Sequence, residues 1–344
     1  MGDEVSVLRL LLCGTRAVKS ADVAYTIASP SGRVHVMRLL SAAAVMVLAL
    51  TSCSAAAYAR PHGSAVLPAV PLARRVIGVY EPNDPGSYGQ VRHFAKVTGV
   101  KPGLVVYYSN WGMPFEDAFA EEVQRHGGKP LVQIDPRGVA LAAIADGQQD
   151  SYLRSYAVQV RAYGGAVVIS FGQEMNGPWY PWGSGHIAPA VFVAAWRHIV
   201  RLFRAEGARN VTWLWDVNCN FRGSDPISLW WPGRRYVNWA GVDCYYNRFS
   251  NTFDSLFGST ITDIRQLTGD PVVIGETAAD PAAGQSAKIA SLFAGILQYK
   301  LIGFVWFDQA QHGGFNHQDW RLDDKLAGLA AFRKGAVGFL RGAQ

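Results

Sequence analysis

The amino-acid sequence predicts a single (β/α)8 barrel, and three observations carry that expectation. Eight short runs of β-branched, aliphatic and aromatic residues recur, at 76–80, 104–108, 131–134, 167–171, 211–215, 237–245, 272–275 and 302–307. Most are continuously apolar, as parallel strands covered on both faces should be. Stretches with helical periodicity separate them, and without residues 1–59 the chain has 285 of its 344 residues, the size of one such barrel.

The N-terminal part reads as a leader. Met37-Arg38-Leu39-Leu40 begins a basic start followed by an apolar run of about 12 residues and then small residues, the pattern of a signal peptide. Ala57-Tyr58-Ala59 supplies an A-x-A cleavage site, so 37–59 is assigned as signal peptide and the protein is expected to be secreted. Leu50-Thr51-Ser52-Cys53 resembles a lipobox, which would instead anchor the protein at the cell surface through lipidated Cys53. Residues 1–36 precede the basic start and read as a start-site artefact or an unstructured extension, with 60–73 a Pro/Ala-rich linker and 74–344 the barrel.

The elements can be justified in order. No Gly-rich turn follows the first run, where the chain reads Tyr80-Glu81-Pro82-Asn83, which argues against a doubly wound dinucleotide-binding sheet. Tyr152, Tyr156 and Val160 recur at helical spacing between the third and fourth runs. Phe192, Ala195, Trp196, Ile199 and Phe203 repeat the pattern before the fifth, and Gly207 is placed to stop that helix. Ile289, Leu292, Phe293 and Ile296 do so before the eighth. Cys219 and Cys244 fall near the ends of runs five and six; they read equally as a disulfide or as two buried thiols.

Composition narrows the function. At 49% hydrophobic and 17% charged residues the chain is neither disordered nor strongly polar. The net charge of +6 comes from scattered singles and pairs such as Arg74-Arg75 and Arg234-Arg235, without the stripe that nucleic acid requires. The 11 Trp, 14 Tyr and 16 Phe are more informative, because many fall where strands should end.

In (β/α)8 barrels chemistry gathers at the C-terminal ends of the strands. Run four leads from Phe171 into Gly172-Gln173-Glu174-Met175-Asn176-Gly177, and run seven ends at Glu276-Thr277. A charge closing an apolar strand has no packing role, and strands four and seven face each other across the mouth. Two facing carboxylates suit glycoside hydrolysis, in which one must carry a proton for the leaving oxygen and the other must be ionised. The bland alternative is a pair of solvated rim glutamates, or Glu174 paired with Arg137 or Arg197. Aromatic neighbours weigh against it: Trp111 after run two, Trp179, Tyr180 and Trp182 after Glu174, Trp213 and Trp215 on run five, Tyr245 and Tyr246 on run six, and Trp306 in run eight. Indole faces stack on sugar rings, and several exposed at one rim are costly without a ligand. Trp213, away from a strand end, reads as core. Asp243 and Tyr245, two apart on one strand, share a face, so the tyrosine could orient Glu276.

The segment Phe-Gly-Gln-Glu-Met-Asn-Gly-Pro-Trp-Tyr-Pro-Trp-Gly at 171–183 resembles the signature of glycoside hydrolase family 26, the β-mannanase family of the retaining (β/α)8 clan. Val-Ile-Gly-Glu-Thr at 273–277 resembles its nucleophile strand, and Gly-Phe-Val-Trp-Phe at 303–307 its eighth strand. The resemblance implies Glu174 as acid/base, Glu276 as nucleophile and Tyr245 as a donor to the nucleophile. It further implies Trp179 and Trp306 as sugar platforms and Asp243 as a supporting acid; from the residues themselves, Trp111 and Gln173, whose amide can hydrogen-bond a sugar hydroxyl, are added as substrate-binding candidates. One position departs from it: the family usually has His before the acid/base Glu, and this chain has Gln173, which cannot titrate near neutral pH.

The expected activity is therefore a retaining endo-β-glycanase, with β-1,4-mannan the first substrate and mixed-linkage β-glucan or β-1,3-xylan the alternatives. A transglycosylase would share the covalent intermediate, and a non-catalytic carbohydrate-binding barrel is the reading from another class. The chemistry calls for no cofactor, and the partner is a polysaccharide or oligosaccharide, with a monomeric chain expected. His312, His317 and Asp319 lack the spacing of a metal site, and Ser170 lies in no G-x-S-x-G elbow.

Overall fold

The computed structural model describes residues 75–311 and 318–342. The leader, lipobox and linker assignments fall outside the described residues, as do His312 and His317. Eight parallel strands close into a barrel: β1 (Val76–Tyr80), β2 (Leu104–Asn110), β3 (Lys129–Asp135), β4 (Val167–Phe171), β5 (Val211–Asn218), β6 (Trp239–Asp243), β7 (Val272–Thr277) and β8 (Gly303–Phe307). Strand β8 pairs with β1 from Val76↔Gly303 to Tyr80↔Phe307, which completes the ring.

Helices α1 (Gly89–Thr98), α2 (Asp117–Arg125), α3 (Leu141–Ala145), α4 (Asp150–Tyr163), α5 (Pro189–Ala205), α6 (Ser259–Leu267), α7 (Gln285–Gln298) and α8 (Leu326–Arg341) connect the strands, with α3 and α4 both between β3 and β4 and only a short 3-10 turn (Ile227–Trp230) between β5 and β6. The anticipated stripes are buried: Leu153, Tyr156, Ala157 and Val160 in α4, and Phe192, Ala195, Trp196, Ile199 and Phe203 in α5. Gly207 has φ 78° just beyond α5, and its N–H closes on the Arg204 carbonyl at 3.2 Å. Two-residue strands β9 (Ala310–Gln311) and β10 (Gln318–Asp319) pair antiparallel after β8.

Strand six is shorter than the apolar run 237–245. Before it, Asn238 accepts from Trp213 N–H through its side-chain Oδ1 at 2.9 Å and donates its own N–H to the Trp213 carbonyl at 2.9 Å, so a side chain stands in for the ladder. After it, Cys244 turns toward Cys219, and the two are joined as a disulfide with Cα atoms 5.6 Å apart. Of the two readings open for these cysteines, the bridge is the one observed.

Alternation along the strands sorts side chains into two packed layers. Leu104, Val106, Leu131, Val168, Leu214, Trp239, Val273 and Val305 fill the barrel interior. Their neighbours Val105, Tyr107, Val132, Ile169, Trp213, Trp215, Val242, Ile274, Phe304 and Trp306 face the helices. Above the apolar interior layer, the inward positions become Gln133, Ser170 and Asp216, all fully buried, and then the mouth at the C-terminal ends of the strands. The barrel is thus sealed below and polar above, which directs any chemistry to one end.

Strand β7 breaks strict alternation at the point that matters. Its register runs Ile274↔Phe304 and then Thr277↔Trp306, so β7 carries one residue more than β8 over this stretch. The same step appears against β6, where Gly241↔Val273 is followed by Asp243↔Glu276. Counted by twos from Val273, Glu276 would point outward with Ile274; the bulge turns it into the mouth.

Candidate active site

The mouth is a cavity of about 350 Å³ lined by Tyr108, Glu174, Tyr180, Tyr245, Asn247, Glu276, Phe307, Gln318 and Trp320. Glu174 and Glu276 meet across it, each with Asp243 close by: one carboxylate oxygen from each of the three lies within 4.8 Å of the others. The two glutamates retain only 8% and 7% exposure. This is the close spacing of a retaining pair, whose carboxyls stand about 5–5.5 Å apart; inverting enzymes hold them wider to admit a water.

Local structure positions the acid side. Glu174 has φ 54°, the left-handed region, and its N–H bonds the Asp216 carbonyl at 2.9 Å while its carbonyl accepts from Gly177 N–H at 2.9 Å. That tight turn brings the Trp179 indole across Gly177, where a Cβ would lie 2.2 Å from the ring. From there Trp179 Nε1 donates to Glu174 Oε2 at 2.6 Å, and Asn218 Nδ2 at the end of β5 donates to Oε1 at 2.6 Å. Asn218 is itself anchored, its backbone N–H donating to Asn176 Oδ1 at 2.9 Å and its carbonyl accepting from Asn176 Nδ2 at 2.8 Å.

The other side is built from tyrosines. Tyr245 donates its hydroxyl to Glu276 Oε2 at 2.7 Å, and the Tyr108 hydroxyl donates to Oε1. Tyr245 is held by Trp320, stacked at 4.5 Å between ring centroids. These surroundings separate the two acids. Burial, reinforced by the negative charge of Glu276, pushes Glu174 up to about 8, although the Asn218 and Trp179 bonds pull the other way. Burial also raises Glu276, but the Tyr108 and Tyr245 hydroxyls pull it back. Glu174 is therefore the group equipped to hold a proton, and Glu276 the one equipped to stay ionised.

The comparisons with known proteins point to the same part of the chain. Residues 155–277, from within α4 to the end of β7, match the model of glycosyl hydrolase family 26, a span that includes both glutamates. Over that span the chain resembles the glycosyl hydrolases of family 26. It is 29% identical over 279 residues to Endoglucanase H of Acetivibrio thermocellus, an alignment covering 76% of this chain and 30% of that relative's length. Among solved structures, the barrel resembles a GH26 β-mannanase from Bacteroides ovatus (15% identity, 78% of this chain and 90% of that one, TM-score 0.60). It also resembles an endo-β-1,4-mannanase from Cellulomonas fimi (17% identity, 77% and 71% covered, TM-score 0.58). At these identities the two mannanases speak for the fold alone.

The remaining expected site residues divide. Asp243 lies at the mouth but fully buried, beneath the glutamates rather than open to a sugar. Gln173 is also buried, its Nε2 donating to Asp135 Oδ1 at 2.9 Å while Oε1 has no partner. Trp179, 45% exposed, presents its ring at the rim. Trp306 corrects the expectation: it is 0% exposed, packs edge-on against Phe332 of α8, and donates Nε1 to Asp308 and to the Trp320 carbonyl. Alternation in β8 turns Val305 and Phe307 inward and Trp306 outward, so no platform can form there; Phe307 and Trp320 line the cavity instead. Trp111 packs on Tyr152 at 4.8 Å, donates Nε1 to Gln149, and does not line the cavity.

The expectation missed Tyr108, Asn218 and Trp320. Tyr108 closes the run 104–108, so the strand-end rule that selected the glutamates also points to it. Asn218 lies three residues past the anticipated end of run five, and Trp320 lies outside every run. Neither Arg137 nor Arg197 pairs with Glu174: Arg137 lies over the Trp182 ring at 5.7 Å, and Arg197 donates to the Pro232 carbonyl. Asp319 is bound by Arg321 through two bonds of 2.8 Å, which lowers its pKa well below the usual range.

Proposed function

We propose that the chain is an exported retaining endo-β-glycanase that cleaves a β-linked polysaccharide by double displacement. Glu276 attacks the anomeric carbon while Glu174 gives its proton to the leaving glycosidic oxygen. The glycosyl-enzyme ester is then opened by water, which Glu174 deprotonates, so that both carboxyls return to their starting states. The observation that carries this reading is the close approach of Glu174 and Glu276 in unequal surroundings. When Glu174 is protonated, its O–H can point to the glycosidic oxygen, or the Asn218 amide can turn its oxygen toward it.

Mannan was the first expectation from the sequence, and the names of the structural neighbours agree with it. The relative from Acetivibrio thermocellus, however, is named an endoglucanase, and its identity of 29% exceeds the 15% and 17% of the two mannanases. Together with Gln173 in place of the family's His, this favours a β-glucan over β-mannan. The disulfide at Cys219–Cys244 supports an oxidising location outside the cytoplasm.

The test is reducing-sugar release from mannan, glucomannan, lichenan and β-1,3-xylan side by side, with the anomeric form of the first product followed by NMR. Release from lichenan with β products is expected. Release from mannan alone restores the mannanase reading, α products exclude double displacement, and retention on affinity gels without release leaves only a binding protein.

A further inference from the structure

Directly below the glutamates lie two more carboxyls that double displacement does not use. Asp216 of β5 and Asp243 of β6 are both 0% exposed. Register places Asp243 opposite Asn218, one inward position above Asp216, and the two carboxyls face each other at hydrogen-bonding range. Asp216 has been given a fitted recess. A Cβ on Gly241 would lie 2.0 Å from its Oδ1, and a Cβ on Gly275 would lie 2.1 Å from its Oδ2. Only glycine at both positions leaves room for the carboxyl between β6 and β7.

The hydrogen-bond inventory of the pair does not close with two carboxylates. Gln133 Nε2 donates to Asp216 Oδ2 at 3.1 Å. Asp216 Oδ1 and both oxygens of Asp243 are buried without a donor among the described residues. The ionisable groups acting on the pair are Glu276 of β7 and Glu174 beyond β4, both acids. From β3 comes the neutral Gln133, and from β4 the neutral Ser170 at the same level. Two adjacent buried carboxylates without a cation are prohibitively costly, whereas one proton between them relieves both the repulsion and the missing donor.

We propose that Asp216 and Asp243 hold a single proton between them, with Asp243 the O–H donor and Asp216 the acceptor, and that Asp216 is thereby a positioning residue for the nucleophile. The proton keeps Asp243 neutral at its closest approach to Glu276, so the mouth does not gather a third full negative charge. Asp216 never meets the sugar; it acts through Asp243. The functional part of this inference rests on the two-glutamate reading above, whereas the shared proton itself does not.

The proton is tested directly by infrared spectroscopy of the folded protein labelled with 13C-aspartate. At neutral pH a label-shifted protonated-carboxyl band is expected, and it should be reduced in Asp243→Asn; absence of any such band in the unsubstituted protein overturns the proposal whether or not the protein is active. Asparagine at 243 mimics the neutral donor, so the kcat of Asp243→Asn should exceed that of Asp243→Ala by about tenfold or more. Equal loss in both variants, with melting temperatures matched, means that an ionised Asp243 is required and the proposal fails. Asp216→Asn removes the negative charge from the pair. Both limbs of its kcat/KM profile should move to lower pH by about one unit, with KM nearly unchanged. A lower kcat with unmoved limbs would assign Asp216 a merely structural role.

Discussion

Tyr245 and Glu276 are joined by a hydrogen bond of 2.7 Å, from a tyrosine beyond β6 to a glutamate that a bulge in β7 has turned inward. Both ends of that bond depend on backbone irregularity: Tyr245 lies past the strand, next to the bridged Cys244, and Glu276 lies within the stretch where β7 slips its register. The other oxygen of Glu276 is served by Tyr108 from β2. Glu276 is therefore held from two sides of the barrel by groups that favour its ionised form.

Removing either hydroxyl should make Glu276 harder to ionise. Tyr245→Phe and Tyr108→Phe are each expected to lower kcat/KM by about 10- to 100-fold, the worth of a hydrogen bond to a charged group. The acidic limb of the profile should move to higher pH. A limb that stays in place while activity falls would mean that the tyrosines bind sugar and do not support the carboxylate.

The two glutamates should fail differently. Glu276→Ala should abolish turnover of every substrate while leaving the melting temperature intact. Glu174→Ala should lose about 10²- to 10⁴-fold on polysaccharide but far less on aryl glycosides whose leaving groups need no proton. Equal losses on both substrates would contradict the assignment of Glu174 as the acid.

Stability should carry the mark of the buried acid. The folded pKa of Glu174, about 8, lies above its ordinary value of 4.5. Between those values the folded state binds more protons than the unfolded state, so stability falls as pH rises from about 4.5 to 8. Glu174→Gln should flatten that slope and stabilise the protein at pH 8 by on the order of 2 kcal/mol, while changing little at pH 4. Thermal melts across this range check it, and parallel curves for the two proteins would refute it. The same raised acid should set the alkaline limb of activity near pH 8.

The Cys219–Cys244 bridge closes a loop with a sequence separation of 25 between the ends of β5 and β6. Its reduction, or Cys219→Ala with Cys244→Ala, should cost about 2–4 kcal/mol in denaturant unfolding. Because Asn218 and Tyr245 directly flank the bridged cysteines, kcat should fall as well, even well below the melting transition.

Much of this molecule was legible in the sequence, and the misses have a common origin. Apolar runs located all eight strands, because parallel strands buried on both faces leave no polar interruptions to confuse the pattern. Glu174 and Glu276 were found by position, as charges closing such runs. The same continuity hides which way a side chain points. In Gly-Phe-Val-Trp-Phe all five residues look alike, so Trp306 was read as a platform when alternation sends it to the helices. Asp216, in Trp-Leu-Trp-Asp-Val, vanished into an apolar run whose end lay at Asn218 and not at Trp215. The bulge that aims Glu276 leaves no trace in the residue pattern at all; it shows only when β7 is laid against β6 and β8.

The indole lying over Gly177 has a practical corollary for anyone who wishes to redesign this enzyme. Randomising the loop from 177 to 183 would seem an obvious route to altered substrate preference, since most of those codons encode rim side chains. Any methyl group installed at 177 would evict the ring of Trp179 and with it a proton-tuning contact to Glu174, so libraries that vary this codon will be enriched in inactive clones. Holding it constant while diversifying Tyr180 and its surroundings should preserve the chemistry and leave the sugar selectivity free to evolve.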